Sequence, residues 1–255
     1  MTTRNKSKLK ILFDLFQDNR IVTKELLSSY GISRDLRNYY VKSSWLEPLG
    51  AGAYKKPGRN IYWPDGVQAL QQQSKVKIFV GALSALSAQG FSHYIRYSDE
   101  FLYLFSPRGV TLPRWFKNFP WEMRLLHKST TFLPYETGIN EVLVNETKLL
   151  MSSPERAIME CLYLSPTKMD LVEIYHIFEG LINLRPNLIN ELLQSCKTVK
   201  IKRLFLYMAE KANHQWFEFI DRDKLDLGRG NRMISKNGDF ISRYGISIPK
   251  ELSGI

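Results

Sequence analysis

The chain has 255 residues, 44% of them hydrophobic and 13% aromatic, enough to build folded cores rather than a disordered chain. No apolar run reaches the roughly 18 residues a bilayer-crossing helix needs, and the polar, basic start from Met1 to Lys10 has no apolar stretch of a secretory signal behind it. The net charge is +11, but residues 1–60 hold 12 Lys/Arg against five acids while the other 195 hold 24 against 20, so the positive field is gathered on the N-terminal unit, as a footprint for phosphate requires. Only two cysteines are present. Cys161 and Cys196 sit in apolar, helix-like contexts with no Cys-x-x-Cys spacing, so they read as buried thiols of a reduced, cytoplasmic protein.

In chain order, Leu9, Leu12, Phe13 and Phe16 recur at helical spacing and predict a helix from Lys6 to Phe16. Thr23 then reads as an N-cap, Gly31 closes a short helix, and Ser33 opens another. Two short helices joined around a glycine, with arginines on the second, form a helix-turn-helix that can lay a helix in a major groove. On the second helix Ile32, Leu36 and Tyr40 are expected to face the core, leaving Ser33, Arg34, Arg37, Asn38 and Lys42 outward. Arginine contacts guanine and asparagine contacts adenine bidentately, so Arg34, Arg37 and Asn38 are candidates for base readout and Lys42 for phosphate. Two extended pieces around Gly50-Ala51-Gly52 predict a β-hairpin wing, on which Lys55, Lys56 and Arg59 would reach phosphates. Pro57, Gly58 and Pro64 are expected to break regular structure, Gln71-Gln72-Gln73 is a brief polar run, and the domain boundary is placed near residues 64–75.

A helix-turn-helix ending in a Gly52-Ala53-Tyr54 wing resembles the N-terminal domain of AbiEi-type antitoxins, bacterial repressors of type IV toxin–antitoxin systems. Further along, residues 74–89 read as a helix rich in small residues that Gly90 ends. Phe101–Phe105 predicts a central strand, Arg108–Trp121 a long irregular connection, and Met123–His127 and Glu141–Val144 two more strands. Ser153 and Pro154 open a helix, and helices are expected at 168–180, 187–196 and 198–212. Ser153-Pro154-Glu155-Arg156-Ala157 is similar to a signature helix of the AbiEi C-terminal domain. Asn237-Gly238 between two short apolar pieces predicts a hairpin. The stretch from Gly228 to Pro249, basic, glycine-rich and ending Tyr244-x-Ile246-x-x-Pro249, resembles the end of longer AbiEi antitoxins. Arg229, Arg232, Lys236 and Arg243 there form a possible second basic surface.

No catalytic constellation stands out. His93, His127, His176 and His214 are scattered and read as surface or packing residues. Asp221-x-Asp223-x-x-Asp226 lacks the glycine and terminal glutamate of a calcium loop and reads as an ion-paired segment. Glu146-x-Lys148 superficially matches the acid-x-lysine pair of metal-dependent nucleases, but Glu146 is the only acid in position. No metal, cofactor or enzymatic activity is expected. The sequence therefore predicts an α+β protein: a winged helix-turn-helix over 1–70 followed by a larger mixed α/β domain over 71–255. The resemblance implies a repressor of its own operon that binds double-stranded, inverted-repeat operator DNA, with a C-terminal domain that counters a nucleotidyltransferase toxin. The alternative is a stand-alone winged-helix regulator whose larger domain senses a ligand.

Overall fold

Helix α1 (Lys8–Asp18) starts where the Ser7 hydroxyl accepts a hydrogen bond from the Lys10 amide, and it buries Leu12, Leu15 and Phe16. The computed structural model describes residues 7–91 and 101–254, so Lys6 and His93 lie outside the described residues. Phe13, read as a core position, instead lies on the outer flank, 39% exposed, and meets Trp45 edge-on at 5.4 Å between ring centroids. Thr23 closes β1 (Ile21–Thr23) and caps α2 (Lys24–Ser29), its hydroxyl accepting from the Leu26 amide. The left-handed turn at Gly31 (φ +71°) leads to Ser33, which caps α3 (Arg34–Lys42) in the same way. Strands β2 (Glu47–Gly50) and β3 (Ala53–Lys55) form the expected wing, and β1 completes a small antiparallel sheet in the order β1-β3-β2. Its core gathers Leu12, Phe16, Val22, Leu27, Ile32, Tyr40 and Leu46. Each aliphatic side chain buried this completely contributes about 1.5–3 kcal/mol relative to exposure.

Residues 63–73 are helical rather than irregular. Pro64 sits in the first turn of α4 (Trp63–Gln68), where a missing N–H costs nothing, and a π-helical turn follows over Ala69–Gln73. The Asp65 carboxylate accepts from the Tyr62 amide at 2.8 Å. The polar glutamine run is in fact structural. Gln73 accepts from the Thr23 amide and donates to the Ile21 carbonyl and to Asn19, so its side chain serves the open edge of β1 as another strand would. Gln71 bonds the backbone in a like way, donating to the carbonyls of Ile78 and Leu150 and accepting from the Leu150 amide. Ile21 and Ala53 of the N-terminal unit also join the larger core.

The expected helix over 74–89 splits. Phe79 and Val80 form β4 (Phe79–Val80), and only Ala82–Ala88 is helical, as α5. The reason is at Gly81, where a Cβ would lie 2.3 Å from Glu160 and 2.6 Å from Phe105, so the chain passes through the core there in an extended conformation. Strands β5 (Phe101–Ser106), β6 (Arg124–Ser129), β7 (Ile139–Val144) and β8 (Thr147–Ser152) complete a mixed five-stranded sheet, ordered β6-β5-β4-β8-β7. Strand β5 is interior and buried on both faces, as its apolar run predicts. A short helix, α6 (Arg114–Asn118), interrupts the connection read as irregular. Strand β8 went unread. Asn145 and Glu146, both in the left-handed region (φ 45° and 67°), form the two-residue turn that folds it back onto β7.

Helices α7 (Pro154–Leu164), α8 (Leu171–Glu179), α9 (Pro186–Ser195) and α10 (Val199–Lys211) then pack as one apolar layer with this sheet. Cys161 and Cys196 are buried within it, both as free thiols. A small sheet of β9 (Arg232–Met233), β10 (Asp239–Ile241) and β11 (Ile246–Ile248), with α11 (Lys250–Gly254), ends the chain. Asn237-Gly238 does not turn a hairpin between β9 and β10, which are not paired: the order is β10-β11-β9, and the hairpin turn is Ser242–Gly245. Gly238 is needed for close approach instead, since a Cβ there would fall 1.8 Å from the Ile248 carbonyl oxygen. Among the described residues no helix is long and apolar enough to cross a membrane.

Candidate nucleic-acid interface

Helix α3 presents one polar stripe. Arg34, Asn38 and Lys42 follow i, i+4, i+8 and are all exposed, while Ile32 and Tyr40 are buried and Leu36 is half-buried. Ser33 is spent on capping. Arg37 departs from expectation. It is 8% exposed, and its guanidinium turns inward to donate to the Ser28 hydroxyl and the Ile32 carbonyl, both at 2.9 Å. Three residues on from Arg34 the helix has rotated far enough to aim the side chain at the turn after α2, where an arginine can satisfy that turn's polar groups. Arg37 is thus a brace of the helix-turn-helix. Tyr39, one step from Asn38 and 61% exposed, lies beside the stripe and was missed because an aromatic between apolar positions reads as core. Its phenol adds a hydrogen-bonding tip and an apolar face next to Asn38.

The wing has fewer projecting cations than its sequence suggests. Lys55 is only 16% exposed, ion-paired with Glu47 at 3.1 Å and donating to the Arg59 carbonyl, and Arg59 donates to the Phe16 carbonyl at 2.9 Å. These two lock the wing to itself and to α1. Lys56, just past the end of β3, is exposed. Replacing Lys56 with alanine is therefore expected to lower the slope of log affinity against log salt by about 1 for any DNA sequence. Lys55→Ala should instead lower the wing's thermal stability. A larger slope change for Lys55→Ala than for Lys56→Ala in salt titrations would reverse this assignment.

The possible second basic surface is also uneven. Arg243 is ion-paired with Glu210 and lies over the Tyr244 ring, and half-buried Arg232 donates to the carbonyls of Arg229 and Asn231. Arg229 and Lys236 are exposed. The loop bearing them is held by Arg203 of α10, 6% exposed, which donates to the carbonyls of Leu227, Gly228, Gly230 and Gly245. No sequence signal marks this clamp.

The Ser-Pro-Glu-Arg-Ala helix proves to be a buried polar knot. Glu155 takes a two-pronged bond from the Arg185 guanidinium and a third from the Arg185 amide. Burial alone would raise its pKa, but those bonds hold the carboxyl below the usual range. Arg156 donates to Glu160 at 2.8 Å and to the carbonyls of Pro134 and Thr137, with its guanidinium 4.7 Å from the Phe79 ring. Glu160, 0% exposed, also accepts from the Ala82 amide and the Ser152 hydroxyl. Ser153 occupies the N-cap position, but its hydroxyl does not bond the first turn.

Among the described residues no three His, Cys, Asp or Glu side chains are grouped to hold a metal ion. Asp221 pairs with Lys224 and Asp226 accepts from the Gly228 amide, as an ion-paired segment would. His127 shares a bond with Ser106, His176 with Glu179 and His214 with the Phe178 carbonyl. Glu146 and Lys148 lie exposed at the β7–β8 turn.

A winged helix with a polar, basic recognition helix, carried on a larger α+β domain, defines a transcriptional regulator. Two family models match in tandem: the transcriptional regulator AbiEi antitoxin N-terminal domain over residues 5–97, and the transcriptional regulator, AbiEi antitoxin of type IV toxin–antitoxin systems, over residues 99–249. The chain belongs to the AbiEi antitoxin family. The fold also matches the crystal structure of the RV2827C protein from Mycobacterium tuberculosis, with a TM-score of 0.63 at 14% identity over 92% of this chain and 89% of that one. No curated protein matches the sequence.

Proposed function

We propose that this chain represses its own operon by binding an inverted-repeat, double-stranded operator in the cytoplasm, and that its larger part opposes a nucleotidyltransferase toxin. The observation that carries the DNA reading is the exposed Arg34-Asn38-Lys42 stripe on a capped recognition helix. In this reading residues 1–70 are the DNA-binding domain and 71–255 the antitoxin domain. Phosphate contacts from Lys42 and Lys56 supply affinity irrespective of sequence, and Arg34 and Asn38 choose bases. The family's regulatory role supports a protein without catalysis. One cavity within the larger domain, lined by Phe79, Ser106, Thr130, Tyr135 and Arg156, holds roughly 50 Å³, little more than water.

The test is a titration of the protein with its own promoter DNA and with scrambled DNA, at low and physiological salt. Selective binding that falls steeply with salt is expected. Arg34→Ala should weaken it by about 1–3 kcal/mol and relax base preference, while sparing rescue from a co-expressed neighbouring toxin. Wild-type affinity in Arg34→Ala would remove α3 from the major groove, and loss of rescue in the same variant would join the two activities on one surface.

A further inference from the structure

The C-terminal sheet exposes large apolar side chains on one face. Register places Phe240 opposite Ser247 and Ser247 opposite Met233, so the three stand in one row across β10, β11 and β9. Their neighbours Ile246 and Ile248 point the other way and are fully buried. Phe240 is 50% and Met233 70% exposed, with only the small Ser247 side chain between them. Three strands set this row at about 10 Å across. It is a flat floor with a ring at one side and an adaptable thioether at the other.

Large apolar side chains side by side on an exposed sheet mark a contact surface, and the surrounding charge says for what. Residues 228–250 carry five Lys/Arg against a single acid, Asp239, which itself accepts from Ser253. Exposed Arg229 lies just before β9, and exposed Lys236 lies in the connection from β9 to β10. Cations bordering an aromatic on an open sheet suit an anion with flat apolar faces.

We propose that the outer face of this sheet binds single-stranded nucleic acid, stacking a base on Phe240 and a second against Met233, with Arg229 and Lys236 on the flanking phosphates. A duplex fits poorly, because its bases are already stacked and hidden from a flat platform. An apolar protein partner would have no need of the cationic border. The row lies on β9, β10 and β11 rather than on α3, so a strand and operator DNA would use different side chains.

Fluorescence anisotropy of the full chain with a labelled 12-nucleotide RNA, the DNA strand of the same sequence, and its own promoter duplex tests this. The wild type is expected to bind the single strands, and Met233→Ala with Phe240→Ala to weaken that binding at least fivefold while leaving duplex binding and the circular dichroism spectrum unchanged. Arg34→Ala should do the reverse, so failure here is distinguishable from failure of the operator reading. A preference between the two strands identifies RNA or DNA as the occupant. Absence of single-strand binding at low salt, or an unchanged affinity in the double variant, overturns the proposal. So does an equal loss of duplex binding, which makes the face part of the operator interface, or a mass that halves in the double variant, which makes it a contact between copies of this chain.

Discussion

Arg156→Met is expected to destabilise the protein by about 3–5 kcal/mol at neutral pH, the usual loss when one partner of a buried ion pair is removed. In a domain of this size that lowers Tm by about 6–20 °C. Glu160 would be left without its cation in a fully buried site, and the carbonyls of Pro134 and Thr137 would lose their donor. The loss has a pH signature. Burial raises the Glu160 carboxyl above its ordinary range, against the pull of Arg156 and the bonds from Ala82 and Ser152. A raised carboxyl favours folding while it is protonated, so its contribution is present below the unfolded value and is lost as pH rises through the folded one. Without Arg156 the folded value rises further and the loss deepens. Urea unfolding should therefore show a wide gap between wild type and variant at pH 7 and a narrower one near pH 4. Adding Glu160→Gln, which keeps acceptors for Ala82 and Ser152 but removes the charge, should recover part of the loss. An equal gap at both pH values, or no recovery in the double variant, would place the cost elsewhere than at Glu160.

The same knot shows what the sequence carried and what it hid. Ser-Pro-Glu-Arg-Ala was recognisable as a helix start and as a family resemblance, yet nothing in the string tells that Glu155, Arg156 and Glu160 are buried, because their partners Arg185, Pro134, Thr137 and Ala82 come from distant segments. Caps and glycine turns of the helix-turn-helix were legible because they are local chemistry: Thr23, Gly31 and Ser33 each act within three residues. Long-range geometry decided the rest. Arg34 and Arg37 look alike in sequence, but only the packing of α2 against α3 separates an exposed arginine from a buried brace. Gln71 and Gln73 resemble a linker until the backbone of Leu150 and the open edge of β1 are set beside them. Asn237-Gly238 had the composition of a hairpin turn, and the parallel pairing of β9 with β11 overrode it. The small residues of 74–89 suit a helix, and the close approach of Glu160 and Phe105 to Gly81 is what splits it.

Arg203→Ala should release the C-terminal segment, at a cost of about 3 kcal/mol or more. Its guanidinium is the common donor to four carbonyls, spaced 2.7–3.1 Å away, on two separate stretches of chain. Bonds from a charged donor contribute about 1.5–3 kcal/mol each when taken singly, and four sharing one group sum to less than the parts. Burial and the nearby Arg232 both push the Arg203 pKa down, so the carbonyl dipoles stand in for a carboxylate partner. Lysine cannot replace this arrangement, since one ammonium with three donors cannot span four acceptors held in a planar fork, and Arg203→Lys should recover less than half the loss. Amide hydrogen exchange locates the effect: residues 228–248 should lose protection in Arg203→Ala while α1 to α3 keep theirs, because the winged helix has its own core of Leu12, Phe16, Leu27 and Ile32. Operator binding should then survive in a variant whose C-terminal sheet has come loose. Uniform loss of protection over the whole chain would show that the clamp supports the global fold. Unchanged protection of 228–248 would show that Ile246 and Ile248, packed beneath the sheet, hold it without the arginine.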